Sequence, residues 1–69
     1  MSAAEFTAAM YEDSCLYYGP EPISLDDARY NLKEYRADRI PVPARLTAKR
    51  FCQLWNLLYT RDTMGGDAG

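Results

Sequence analysis

Four prolines, placed as two close pairs, are the feature that most restricts the fold of this 69-residue chain. Proline fixes φ, lacks a backbone N–H donor and disfavours helical geometry in the residue before it. Pro20 and Pro22 form one pair, and Pro41 and Pro43 form the other. Helices cannot run through either pair, so the chain divides into three segments. A chain of this length makes one domain with a small core.

Each of the three segments carries helix signals. Residues suited to N-capping precede all of them: Ser2 (with Glu5 in capping-box spacing), Ser24 and Thr47. Gly19 before Pro20 is a stop signal for the first. The sequence therefore predicts an all-α domain of three helices, near residues 2–18, 25–38 and 48–60, joined by Pro-rich connectors. This single helical domain covers residues 1–62, and residues 63–69 form a flexible tail.

The buried face of the first helix is ambiguous. One stripe at 3.6-residue spacing contains Phe6, Ala9, Met10, Leu16 and Tyr17. Asp13 projects from the middle of this stripe. Either the helix breaks near residues 12–14, or Asp13 has a partner, or a different stripe is buried. Residues 15–18 are also compatible with a short extended piece.

The second segment predicts an amphipathic helix with four distinct sides. Its buried stripe is Leu25, Ala28, Leu32 and Tyr35. A basic line runs beside it, formed by Arg29, Lys33 and Arg36. A polar-acidic line runs on the far side, formed by Asp27, Asn31, Glu34 and Asp38. Tyr30 lies nearly opposite the apolar stripe, where we expect it to be exposed.

The third segment has an apolar arc wider than that of an ordinary surface helix. The expected core and dimer residues are Phe51, Leu54, Trp55, Leu57 and Leu58. A helix with so wide an arc is buried on two sides, either between two neighbours or between a neighbour and another chain. We therefore expect a homodimer, since a small core gains stability by sharing burial with a second copy.

Composition excludes most catalytic and metal chemistry. The chain has no histidine, which removes the commonest general base and the commonest metal ligand. Cys15 and Cys52 are far apart and lack a C-x-x-C spacing. We expect no enzymatic activity, no metal and no cofactor. The absence of a signal-peptide pattern and of a membrane-spanning apolar run makes the cytoplasm the expected location.

Charge is separated along the chain. Residues 1–27 carry six acidic side chains and no basic one, and residues 28–62 carry a net charge of +5. Within the basic part, Arg45, Lys49 and Arg50 surround the start of the third helix. Residues 46–55 resemble the opening of small helix-turn-helix or excisionase-like domains. This gives the alternative function, a small DNA-binding regulator, which the apolar third helix and the neighbouring acidic segment disfavour.

Tyrosine content favours protein binding. Six of the nine aromatic residues are tyrosines, a side chain enriched at interfaces, and a core this small has no room for all nine. Being short, rich in such side chains and without catalytic residues, the chain resembles the small phage proteins that disable host proteins, such as anti-CRISPRs and quorum-sensing anti-activators. We therefore predict a non-enzymatic module that blocks or modulates a larger partner protein, such as a host regulator or defence protein. The sequence does not separate this from a third interpretation, a subunit or assembly factor of a larger complex. The expected partner-binding residues are Tyr11, Tyr18, Tyr30, Arg29, Lys33 and Arg36.

Overall fold

Three helices, separated as the proline pairs require, make up the computed structural model, which describes residues 1–64. Helix α1 covers Ala3–Tyr18, helix α2 covers Leu25–Ala37 and helix α3 covers Ala48–Thr63. This confirms the all-α prediction, and residues 1–64 contain no strand. The α1 helix is continuous, so residues 15–18 are helical. Helix α3 runs three residues beyond its predicted end, and residues 65–69 of the predicted tail lie outside the described part of the chain.

The helix starts are the local features that the sequence predicts best. Ser2 Oγ accepts a hydrogen bond from Glu5 N at 3.1 Å, and Glu5 Oε1 accepts one from Ser2 N at 3.0 Å, which completes the capping box. Ser24 and Thr47 each accept one from the residue three positions later, at 3.1 Å. Such caps satisfy N–H groups that have no partner inside the helix.

Helix α3 is the central element, because α1 and α2 both pack against it. Phe51 is fully buried, and its ring centroid lies 6.2 Å from that of Phe6 on α1 and 6.1 Å from that of Tyr35 on α2. Phe6 and Tyr35 also meet edge to face at 5.9 Å. Burying such aromatic side chains stabilises a fold by about 1.5–3 kcal/mol each, so this cluster holds the three helices together.

The predicted stripe on α1 is wrong beyond its first turns. Leu16 and Tyr17 are 82% and 76% exposed, whereas Thr7 and Tyr11 are buried. The core-facing side of α1 runs from Phe6 and Thr7 through Tyr11 to Cys15. Of the three explanations for Asp13, the correct one is that a different stripe is buried. Asp13 is exposed on the side that the prediction had placed in the core.

The connector between α1 and α2 is tied to α3 by side chains. Asn56 Oδ1 accepts from Ile23 N and Asn56 Nδ2 donates to Ile23 O, both at 2.9 Å. Trp55 Nε1 donates to Glu21 O at 2.7 Å, and Cys52 Sγ donates to Ile23 O at 3.4 Å. These bonds satisfy backbone groups that no helix serves, and they fix where α2 begins.

The chain leaves α2 through a tight reversal at Arg39. This residue has φ 61°, and the reversal is closed by Ile40 N donating to Tyr35 O at 2.8 Å and Arg39 N donating to Arg36 O at 3.1 Å. The pattern is a Schellman motif, in which glycine usually occupies the left-handed position. The turn directs Ile40 back toward the helices, where it packs against the core together with Val42.

We predict that Asn56→Ala lowers the free energy of unfolding by about 1–3 kcal/mol, because it leaves the N–H of Ile23 without a partner and its C=O with only the weak Cys52 thiol donor. Urea unfolding followed by circular dichroism measures the change. Gln53→Ala is the matched control, since Gln53 is exposed on the same helix, and it should change stability by less than about 0.5 kcal/mol. Equal effects from the two variants would contradict a structural role for the Asn56 pair.

Candidate functional site

An open cleft of about 630 Å³ lies between α1 and α2, and we call it the aromatic cleft. Its lining residues are Ala9, Met10, Asp13, Ser14, Tyr17, Tyr18, Asn31, Tyr35, Ile40 and Trp55. The cleft exists because α1 and α2 pack on α3 without their backbones packing closely on each other. Its volume lies in the range of 300–1,000 Å³ that is usual for binding sites.

The end of α1 extends the aromatic cleft onto the surface. Leu16, Tyr17 and Tyr18 are three consecutive large side chains, each more than 70% exposed. The rings of Tyr17 and Tyr18 lie close together, with centroids 6.3 Å apart. Clustered apolar side chains left in water are typical of interaction sites, because leaving them exposed forgoes burial energy. We call these three residues the tyrosine end of α1.

Acidic and polar groups give the aromatic cleft a negative character. Asp13 lines it from α1, Asn31 lines it from α2, and none of the ten lining residues is basic. Burial, and secondarily the charge of Asp13, raises the pKa of Tyr35 above its ordinary value. Asp13 therefore acts across the cleft on a side chain of the other helix.

The side of α2 that borders the aromatic cleft carries the same sign. Asp27 and Glu34 are four residues before and three residues after Asn31, so they share its side of α2 and are exposed. Among residues 1–64 the structure records one salt bridge, between Arg29 and the adjacent-turn Asp26 at 3.6 Å. Asp13 is thus a free carboxylate within the described chain.

The predicted partner-binding residues do not form one surface. Tyr18 lines the aromatic cleft, but Tyr30 lies nearly opposite the buried stripe of α2 and is 62% exposed. Arg29, Lys33 and Arg36 follow the side of α2 away from Asn31. Arg36 also has a structural role, because its Nη2 donates a hydrogen bond to Leu46 O at 3.2 Å.

Tyr11, an expected partner-binding residue, is buried and not at the surface as that role requires. Its side chain is 3% exposed and meets the Trp55 ring edge to face, with centroids 5.3 Å apart and planes at 89°. The prediction failed because the buried stripe of α1 was placed on the wrong side of that helix. Burial raises the pKa of the Tyr11 phenol, and so do the neighbouring Asp62 carboxylate and Cys15 thiol. The hydroxyl is nevertheless inaccessible to water and has no partner at hydrogen-bonding geometry in the described chain.

Residue patterns missed most of the aromatic cleft. The spacing of apolar residues predicts a core role for Tyr17 and Met10, leaves Asp13 unexplained, and predicts only a core role for Tyr35 and Trp55. The position of Asp13 in the apolar stripe was the signal that could have indicated the cleft. An acidic residue among apolar neighbours indicates a side of the helix that combines charge with exposed apolar surface.

The expected core and dimer residues of α3 divide into two groups. Phe51 and Trp55 are buried, as predicted, while Leu57 is 58% exposed. Leu54, Leu57 and Leu58 line a second groove of about 340 Å³ together with Ala4 and Arg61. We call this the leucine groove. It lies between α3 and the start of α1.

The basic group at the start of α3 is exposed, as its polar character requires. Arg45, Lys49 and Arg50 all lie at the surface. The helix that follows them uses its apolar side to hold α1 and α2, so Phe51 and Trp55 pack in the core and cannot enter a DNA groove. This arrangement adds no support for α3 as a recognition helix.

The described residues offer few other chemical features. No group of three or more Cys, Asp or Glu side chains in residues 1–64 is arranged to hold a metal ion. Cys15 and Cys52 are both free thiols, half-buried against the core. Over the same residues, no helix has the length and apolar character that crossing a bilayer demands.

Family models, curated proteins and solved structures all give no match to this chain. Its function is therefore argued from the chemistry of its surfaces, since a three-helix fold alone implies none.

We predict that Tyr11 acts in the core and not at the surface. Tyr11→Phe keeps the ring against Trp55 and removes only the unbonded hydroxyl, so stability should change by less than about 1 kcal/mol. Tyr11→Ala should cost about 3–5 kcal/mol, as for other buried aromatic residues. Urea unfolding measures both, and a mild effect of Tyr11→Ala would show that this ring is not part of the core.

The raised pKa of Tyr11 predicts a pH dependence as well. Below pH 10.0, the ordinary value, the phenol is protonated in both the folded and unfolded states. Above it the unfolded chain loses the proton first, so stability falls as the pH rises toward the folded-state pKa. Tyr11→Phe should reduce this alkaline loss in melting curves from pH 9 to 11. The residual loss belongs to Tyr35, whose pKa burial raises, and to Tyr30, whose pKa the hydrogen bond with Glu34 raises. Identical curves would contradict the assignment.

Proposed function

We propose that this protein is a non-enzymatic binding module that captures a segment of a larger partner protein in the aromatic cleft. The observation that carries the proposal is the combination of that cleft with the tyrosine end of α1. Leu16, Tyr17 and Tyr18 are exposed beside a concave surface into which two of them extend. Tyrosine is well suited to such a role, because it offers a rigid apolar ring with a polar tip.

A protein partner fits this surface better than a small molecule. A small molecule needs only the concave part, which leaves Leu16 in water beside it. A peptide segment covers the cleft and the tyrosine end together, and burial of several aromatic anchors is how interfaces gain most of their affinity. Occupying the surface of a larger protein in this way also blocks that surface, as in the phage inhibitors that the chain resembles.

The tyrosine end provides a direct test. Tyr17→Ala combined with Tyr18→Ala should abolish capture of the partner, since loss of one anchor costs about 2 kcal/mol or more, roughly a 30-fold loss of affinity. Both side chains are exposed, so the fold should be retained. The measurement is affinity purification from a bacterial lysate with quantitative mass spectrometry, comparing the proteins retained by each variant.

Tyr30→Ala is the matched control, because Tyr30 is exposed to a similar degree but lies outside the aromatic cleft. It should leave capture unchanged. Capture that survives the double substitution but is lost with Tyr30→Ala would transfer the proposal to the exposed side of α2 around Tyr30. In a DNA mobility-shift assay, binding that tightens strongly as the salt concentration is lowered would favour the regulator alternative instead, provided that it requires Arg45, Lys49 and Arg50.

We propose separately that the protein forms a homodimer through the leucine groove. Leu57 is the exposed apolar residue of that groove, so Leu57→Glu should convert dimer to monomer. Gln53→Glu adds the same charge on the same helix outside the groove and should leave the dimer intact. Size-exclusion chromatography with light scattering reports the mass, and a wild-type monomer at high concentration would remove the proposal.

A further inference from the structure

We propose that the segment captured in the aromatic cleft carries an arginine that inserts between the aromatic walls and pairs with Asp13. This inference rests on the proposed function, and it specifies the chemistry of the partner. It is carried by the coincidence, in one cleft, of aromatic rings, an unpaired carboxylate and the absence of any basic lining residue.

The carboxylate is placed to select a cation. Asp13 lines the cleft, has no salt-bridge partner within residues 1–64, and the remaining residues of the chain are not basic. Its charge reaches Tyr35 on the opposite wall. A partner without a cation would bring apolar surface against this carboxylate and leave it desolvated and unpaired, which is unfavourable. A cation on the partner removes that penalty.

The aromatic walls distinguish arginine from lysine. Tyr17, Tyr18 and Tyr35 line the cleft, and a guanidinium stacks on such rings while its edge remains free to donate hydrogen bonds. The ammonium of lysine is a compact, strongly hydrated charge that loses more on entering an apolar cleft. The half-buried Asn31 side chain offers a further acceptor in the same cleft.

Acidic groups around the cleft favour positive charge in the rest of the captured partner segment as well. Asp27 and Glu34 flank Asn31 on the exposed side of α2. A positively charged segment is attracted by all of these groups, whereas an acidic segment is repelled. Such complementarity raises the association rate and excludes the wrong partners.

Selection from a random 12-residue peptide display library tests the inference with the full-length protein immobilised. The selected peptides should be enriched in arginine beside apolar or aromatic residues. Asp13→Asn should lose this enrichment, and Glu12→Gln should keep it, because Glu12 is an exposed neighbour that does not line the cleft. Both substitutions preserve side-chain shape at exposed positions, so neither threatens the fold.

A selected peptide then allows a double-mutant cycle. Replacing its arginine by citrulline removes the charge and keeps nearly the same shape. Isothermal titration calorimetry should show about a tenfold loss of affinity for citrulline with the wild-type protein, about the same loss for the arginine peptide with Asp13→Asn, and little further loss when both changes are combined. Additive losses would show that the arginine pairs with another group, which overturns the inference.

The remaining outcomes separate this inference from the proposed function. Peptides without arginine that bind Asp13→Asn as well as wild type, but are lost in the Tyr17→Ala, Tyr18→Ala variant, would overturn the inference and leave the cleft as a docking site. Peptides insensitive to both variants would overturn both proposals. No enrichment at all would overturn the inference.

Sedimentation equilibrium tests a different occupant. A wild-type dimer that dissociates on Asp13→Asn would show that a second copy occupies the cleft, which also overturns the inference of an arginine-bearing partner segment.

Discussion

The packing of one helix against two neighbours is the constraint on which the rest of this structure depends. Phe51 contacts Phe6 on one side and Tyr35 on the other, and Trp55 contacts Tyr11 in the next turn. In so short a chain these rings supply much of the available burial. The positions of α1 and α2 therefore follow from α3, and the ties from Asn56 and Trp55 to the first connector fix the point where α2 starts.

The aromatic cleft follows from that arrangement. Two helices that share a central support, and whose backbones do not pack closely on each other, leave a concave strip between them. The inner walls of the strip come from the sides of core residues such as Tyr35 and Trp55, and its outer rim comes from the tyrosine end of α1. The same aromatic residues thus stabilise the fold and present a surface. The free carboxylate of Asp13 makes that surface negatively charged.

How far the sequence could predict this structure depends on the range of the interactions involved. The N-caps at Ser2, Ser24 and Thr47 and the burial of Phe51 and Trp55 were predictable, because they rest on local spacing. The face of α1 was not, since apolar residues occur nearly all round that helix and no single stripe dominates. The pairing of Asn56 with Ile23 spans 33 positions and leaves no local pattern. The candidate site was missed for the same reason, because its walls come from separate segments.

Site-specific photocrosslinking tests the central claim, that the aromatic cleft is the docking surface. p-Benzoylphenylalanine would be placed at position 17, on the rim of the cleft, and in a second variant at position 30, outside it. Both replace exposed tyrosines, so neither disturbs the core. After irradiation in bacterial cells, we expect a crosslink to one partner protein from position 17 and none from position 30. A crosslink from position 30 without one from position 17 would contradict the claim.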